Sequence, residues 1–257
     1  MSTQYSFRDT DVASKRLRLL AQVFAPEMRA FLRRVVPGRT HHAVDLGCGP
    51  GSSTRILIEA LYPEQVTGLD ASKPFIELAK SSGLSAKFVL HDITKPPLPV
   101  EPADIMFTHF VLTHLPDPAH ALRVWARHLA PKGLLLLDEV EHIQMTNEVF
   151  RRYLAITEAL VKHNHGRLYI GSALDAMDSI PGLRRRSSEI ASLPVSTADA
   201  ASMFRLNLEV WRNDPFVQKT FGKKNVAVLA KELDGLRKSG RKDEIEWGLR
   251  QIVYERV

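Results

Sequence analysis

Apolar positions recur along this chain with two alternating periods. From about residue 41 to 141, short and nearly continuous apolar runs alternate with segments whose apolar residues fall three and four apart. The runs His42–Leu46, Gln65–Asp70, Ala86–Leu90, Asp104–Thr108 and Gly133–Glu139 read as strands. The segments Gly51–Leu61, Lys73–Ser82 and Pro118–Leu129 read as the helices between them. Strands that are apolar on both faces and joined through helices predict a parallel sheet covered on both sides.

The flanks differ from this middle zone. In residues 1–40, Val12, Leu17, Leu19, Leu20, Val23 and Phe24 recur at helical spacing. Pro26 then reads as the start of a second helix through Met28, Phe31, Leu32 and Val35, ended by Pro37-Gly38. After residue 141 the pattern turns helical, over Met145–His163, Thr197–Trp211 and Asn225–Lys238. Two late strands, about Leu183–Leu193 and Ile245–Arg256, would complete the sheet, with an antiparallel last strand left open. The expected fold is α/β: a Rossmann-like, doubly wound, mostly parallel seven-stranded sheet with helices on both faces. Within one domain, 1–40 would form a helical cap or lid, and 41–141 the nucleotide-binding core. Residues 142–182 would form a helical substrate-binding insertion after strand five, and 183–257 would complete the core.

The chemistry concentrates at the carboxyl ends of these strands. Gly47-Cys48-Gly49-Pro50-Gly51 lies directly between a strand and a helix. Glycines there permit a tight turn and close approach of backbone to a ligand. A lone glycine loop is a weak signal, and three acids strengthen it. Asp70 ends the second strand, 19 positions after Gly51, where a ribose-binding carboxylate belongs. Asp92 ends the third strand and could accept from the exocyclic amine of adenine. Asp45 precedes the glycines and suits a ligand's ammonium group better than a pyrophosphate. A nicotinamide dinucleotide is the rival ligand, but its fingerprint wants glycine or alanine where this chain has Ser52.

Composition adds limits. Of 257 residues, 44% are hydrophobic and 25% charged, ordinary for a globular chain that needs no disulfide or metal to hold its core. One cysteine, Cys48, excludes an intramolecular disulfide, and no metal-ligand cluster stands out. No signal-peptide or membrane-spanning segment is evident, so a cytoplasmic location is expected. The net charge of +6 raises nucleic acid as a partner. The basic residues are scattered, however. Arg184-Arg185-Arg186 and Lys223-Lys224 are not interleaved with aromatics as a base-stacking surface would be, which disfavours that partner.

Val44–Gly51 resembles the first motif of the class I S-adenosylmethionine (SAM)-dependent methyltransferases. Gly68–Ser72 resembles the second motif and His91-Asp92-Ile93 the third. Asp104–His109 with Val111–Leu115 resembles the fourth strand and its loop, and Leu129–Leu135 the turn before strand five. Together these cover about residues 41–141, with the nearest likeness to small-molecule methyltransferases of the ubiquinone-biosynthesis and trans-aconitate type. The resemblance implies SAM as cofactor and S-adenosylhomocysteine as its product. It implies that Asp45, Gly47, Gly49 and Gly51 shape the methionine and ribose end, and that Asp70 with Ala71 holds the ribose. Asp92 and Ile93 would flank adenine, and His109 and Phe110 would lie near the methionine end.

Methyl transfer is an in-line displacement in which the protein mainly aligns the nucleophile and excludes water. A hydroxyl or ammonium acceptor also needs a general base, and His109, His114 and Glu139 are the candidates. Tyr5 and Arg16 on the N-terminal segment, with Tyr153 and Tyr169, are candidates to cover or line the acceptor pocket. Trp247 is expected only to pack. The expected partner is a small molecule, with the positive charge favouring an acidic one; no membrane partner is expected, and the chain would act as a monomer or homodimer. Two alternatives stay open. One is an RNA or protein methyltransferase; the other is a methyltransferase fold that binds SAM as a scaffold or cyclase.

Overall fold

The computed structural model describes residues 11–177 and 179–257. The first element, α1, is a single helix over Asp11–Val35 with Pro26 inside it. The break expected at Pro26 does not occur. Proline in a helix removes a backbone donor and crowds the preceding turn, at about 3 kcal/mol. Against this, Phe24, Met28, Phe31 and Leu32 on one face of α1 are all buried. Side chains of that size contribute roughly 1.5–3 kcal/mol each on burial, so together they outweigh the proline.

β1 (His42–Leu46), α2 (Ser52–Leu61), β2 (Gln65–Asp70), α3 (Lys73–Lys80) and β3 (Lys87–Leu90) follow. Next come β4 (Ala103–His109), a single helical turn over Leu112–His114, α4 (Pro118–Ala126) and β5 (Leu129–Met145). The chain continues through α5 (Glu148–His163), α6 (Gly171–Asp175), β6 (Leu183–Pro194), α7 (Thr197–Trp211), α8 (Pro215–Phe221), α9 (Lys223–Lys238) and β7 (Ile245–Arg256). Neither α6 nor α8 was legible in the apolar pattern. β5 also overruns its expected end at Glu139, because β7 pairs with it antiparallel as far as Met145↔Ile245.

Among the described residues the strands form one seven-stranded sheet in the order β3-β2-β1-β4-β5-β7-β6. β1 through β5 run parallel, and β7 is antiparallel to both β5 and β6. Progression is outward from β1 to β3, and β4 then returns to the other side of β1. That reversal splays the loops after β1 and β4 apart and opens a crevice at their carboxyl ends, where such sheets bind ligands.

Strand alternation divides the core. Leu136 and Val140 of β5 pack with α1, α5, α7 and α9 on one face. Leu135 and Leu137 pack with α4 and α6 on the other. No described helix is long and apolar enough to cross a membrane.

Candidate active site

The crevice holds a cavity of about 500 Å³, bounded by the loops after β1, β2, β3 and β4 and roofed by α1, α5 and α7. At one end is the turn from β1 into α2. Gly47, Gly49 and Gly51 have φ of 73°, 51° and 89°. Gly47 is the most constrained, since a Cβ there would lie 2.5 Å from Cγ2 of Val111. Gly47 and Gly49 line the cavity, whereas Gly51 does not; a Cβ on Gly51 would meet Leu84, Phe88 and Ala79 instead.

Asp70 lines the cavity and also shapes it. Its Oδ2 accepts the Gly49 N–H at 2.8 Å, and its Oδ1 accepts the Ser72 N–H at 2.8 Å. Ala71, Asp92 and Ile93 line the same end. Asp92 accepts from the Thr94 N–H at 3.0 Å and from its hydroxyl at 2.7 Å, with Lys95 Nζ 3.3 Å away. Burial would raise the Asp92 pKa, but the bonds from Thr94 and Lys95 prevail and hold it below the usual range.

Asp45 stands beneath the loop and does not line the cavity. Its Oδ2 accepts the hydroxyls of Ser53 at 2.7 Å and Thr54 at 2.6 Å, tying β1 to the first turn of α2. Burial raises its pKa to about 6 despite those two bonds.

The other end is built from β4 and its neighbours. His109 and Phe110 end and follow the strand, both line the cavity, and Phe110 takes a left-handed φ of 57°. His109 sits opposite Asp138 in the parallel β4–β5 register. Its Nδ1 lies 2.8 Å from Oδ2 of Asp138, which is fully buried. The imidazole stacks on Phe110 with centroids 3.8 Å apart, and Phe24 stands 5.8 Å away. Its Nε2 is buried with no hydrogen-bond partner among the described residues.

His114 also lines the cavity. Burial, with a smaller contribution from the charge of Arg16, drives its pKa down to about 3, so it is neutral at neutral pH. Glu139 is fully buried and outside the cavity. Its Oε1 accepts the backbone N–H groups of Val111 at 2.8 Å and Leu112 at 2.9 Å. Burial lifts its pKa to about 8 against those bonds. The cause of its placement is strand alternation: Asp138 and Glu139 are consecutive in β5 and point to opposite faces.

The remaining wall comes from α1, α5, α7 and β7. Arg16 is buried in α1 and lines the cavity. Tyr153 of α5 lines it too, and its hydroxyl accepts from Nδ2 of Asn207 on α7. Burial pushes the Tyr153 pKa up to about 12. Tyr169 is only partly buried and lies outside the cavity. Tyr5 lies outside the described residues.

Several cavity residues escaped the sequence reading. Phe24, Phe204 and Trp247 supply an aromatic wall, with Trp247 doing more than pack. Asn207 adds a buried amide whose Oδ1 has no partner among the described residues. Asp138 carried the one available signal, a carboxylate directly after the apolar run Leu134–Leu137. No group of three or more metal-ligating side chains occurs among the described residues.

Comparison with known proteins places this architecture. The methyltransferase domain family matches residues 44–137. Trans-aconitate 2-methyltransferase of Azoarcus sp. (strain BH72) is 35% identical over 110 residues, 43% of this chain and 43% of the relative. The enzyme of the same name from Delftia acidovorans (strain DSM 14801 / SPH-1) is 30% identical over 156 residues, 60% of this chain and 56% of the relative. These matches span about half the length of the curated relatives. Among solved structures, phosphoethanolamine N-methyltransferase 2 of Haemonchus contortus, in complex with phosphomonomethylethanolamine and S-adenosylhomocysteine, superposes with a TM-score of 0.55 at 18% identity. That match covers 90% of this chain and 52% of the other. Cyclopropane synthase MmaA2 of Mycobacterium tuberculosis gives 0.54 at 16% identity, covering 88% and 83%. At such identities the structural likeness is one of fold. Residues 44–137 thus match a methyltransferase domain, and the chain as a whole shares the Rossmann-like fold of these methyltransferase structures.

Proposed function

We propose that this protein transfers a methyl group from SAM to a small molecule held in the aromatic half of the cavity. The observation that carries this reading is that the Gly47–Gly51 turn and the Asp70 carboxylate share one cavity with an apolar chamber. The donor set fits SAM. Among the described lining residues, the glycine-loop end carries the carboxylates Asp70 and Asp92, while the cation Arg16 stands on α1. Carboxylates accept ribose hydroxyls and an adenine amine, and they repel a pyrophosphate or a 2′-phosphate.

Gly47, Gly49 and Asp70 would hold the methionine and ribose portions, Ala71 with them, and Asp92 and Ile93 the adenine. Asp45 and Gly51 would act from beneath by fixing the turn, and Phe110 would close the methionine end. Bound there, SAM supplies a methyl group already activated by its sulfonium. The protein's task is then alignment of the acceptor and exclusion of water. Phe24, Phe204 and Trp247 supply the dry surface. Arg16 offers a charge for an acidic group on the acceptor, in keeping with the trans-aconitate in the names of the curated relatives.

The test follows the label from methyl-tritiated SAM after incubation with separated small-molecule, RNA and protein fractions of a cell extract. Label in the small-molecule fraction, with matching S-adenosylhomocysteine, is the expected result. Label in RNA or protein would replace the reading by macromolecular methylation. S-adenosylhomocysteine absent from every fraction would replace it by a fold used without transfer.

A further inference from the structure

A carboxylate acceptor arrives without a proton, whereas a hydroxyl must lose one as its oxygen is methylated. The cavity contains a place for that proton. His109 has 6% of its side chain exposed, and the Asp138 carboxylate beside its Nδ1 has none. A buried carboxylate at 2.8 Å makes Nδ1 the protonated nitrogen and leaves Nε2 with its lone pair. That Nε2 has no hydrogen-bond partner among the described residues, although the ring lines the cavity. A buried acceptor without a partner is costly unless a ligand completes it.

Asp138 is itself held in place. Its Oδ1 accepts from Nε2 of Gln251 on β7 at 3.4 Å. Gln251 is buried; its Oε1 accepts from Arg34 at 2.8 Å, and its Nε2 also donates to Glu27 at 3.2 Å. The chain His109–Asp138–Gln251 thus spans β4, β5 and β7 and is anchored on α1. Other charged groups around the ring are Asp45 on β1, within electrostatic reach of His109, and Arg16 and His114 on the cavity wall.

We propose that His109 is the general base of this site, that Asp138 positions it, and that the atom methylated is a hydroxyl oxygen carried on an apolar part of the acceptor. This rests on the methyl-transfer reading above and names its acceptor class. The O–H bond breaks and its proton goes to Nε2, giving an imidazolium paired with Asp138. The oxygen bonds the methyl carbon as the carbon–sulfur bond breaks, and the electron pair of that bond stays on sulfur as a neutral thioether. One positive charge enters on the sulfonium and one leaves on the imidazolium, so charge balances before the proton passes to solvent. The buried Asp138 disfavours an anionic group at the dyad, whereas a neutral hydroxyl donates to Nε2 directly.

4-Nitrophenol tests the pair without turnover, because only its anion absorbs in the visible. It is mixed with the protein below the phenol's own pKa, with and without saturating S-adenosylhomocysteine. The expected result is a visible phenolate band on binding to wild type. Asp138→Asn, whose amide can donate to Nδ1 and place the proton on Nε2, should lower the ionised fraction about ten-fold or more, the effect of one pKa unit. His109→Gln should lower it likewise, with circular dichroism confirming that both variants fold. Failure of 4-nitrophenol to bind, binding as the neutral phenol, or equal ionisation by the variants overturns the dyad. Failure of S-adenosylhomocysteine to bind wild type overturns the methyltransferase reading instead, and the arm without it still reads the dyad.

Discussion

The carboxylate of Asp70 accepts the backbone N–H of Gly49 at 2.8 Å, bridging the end of β2 to the turn that follows β1. The turn also takes backbone support from β2, because the N–H groups of Gly47 and Cys48 both donate to the Leu69 carbonyl, at 2.8 and 2.9 Å. Its shape is therefore fixed before any ligand arrives. Preorganisation of this kind lowers the cost of binding.

Gly47 is where that shape is most exposed to substitution. Gly47→Ala meets a positive φ of 73° and a contact of 2.5 Å with Val111. The left-handed conformation alone costs roughly 1–2 kcal/mol with a side chain present. Denaturant unfolding should show at least that loss, and calorimetry should show weaker binding of S-adenosylhomocysteine. Unchanged values for both would mean that the turn is more plastic than its hydrogen bonds suggest.

Glu139 governs a second loop by holding the N–H groups of Val111 and Leu112. Glu139→Ala leaves two donors without an acceptor and should destabilise the fold by about 2–5 kcal/mol. Its titration has a definite sign. The folded-state pKa is raised to about 8 from the ordinary 4.5, chiefly by burial. Its stabilising contribution is full below the lower value, declines as the unfolded chain ionises, and is lost as pH rises through about 8. Glu139→Gln keeps an acceptor and cannot ionise. Thermal melts from about pH 5 to about pH 9 should therefore show wild type losing stability relative to Glu139→Gln. Parallel curves would place the proton elsewhere.

Asn207 and Tyr153 form the polar edge of the chamber, linked by a hydrogen bond from the amide to the phenol. Asn207→Leu removes that bond and the unpartnered Oδ1 together. Once an acceptor is identified, its KM should rise by about ten-fold or more, the scale of one buried hydrogen bond, while affinity for S-adenosylhomocysteine holds. A fall in kcat at constant KM would instead assign Asn207 to the chemical step.

Strands β1 to β5 were legible because each contains a short apolar run between turn residues, and the end of β1 followed from the glycines. Helical spacing gave α7 to the residue, Thr197–Trp211. Pro26 misled because a local penalty was read without the tertiary burial of Phe24, Met28, Phe31 and Leu32 that exceeds it. The chamber was hidden for a different reason. His109, Asn207 and Trp247 are far apart in sequence and meet only once β4, α7 and β7 are in place. Asp138 and Glu139 are neighbours in sequence, and only the parallel pairing of β4 with β5 shows which of them faces His109.

The central claim is that this cavity binds SAM through the β1 turn and Asp70. Isothermal titration with S-adenosylhomocysteine tests it most directly, on wild type and on Asp70→Ala, with NAD as the control ligand. Wild type should bind S-adenosylhomocysteine and ignore NAD. Asp70→Ala should bind it about ten-fold or more weakly, since a hydrogen bond to a charged group contributes roughly 1.5–3 kcal/mol. No heat with S-adenosylhomocysteine, tighter binding of NAD, or equal affinity in Asp70→Ala would contradict it.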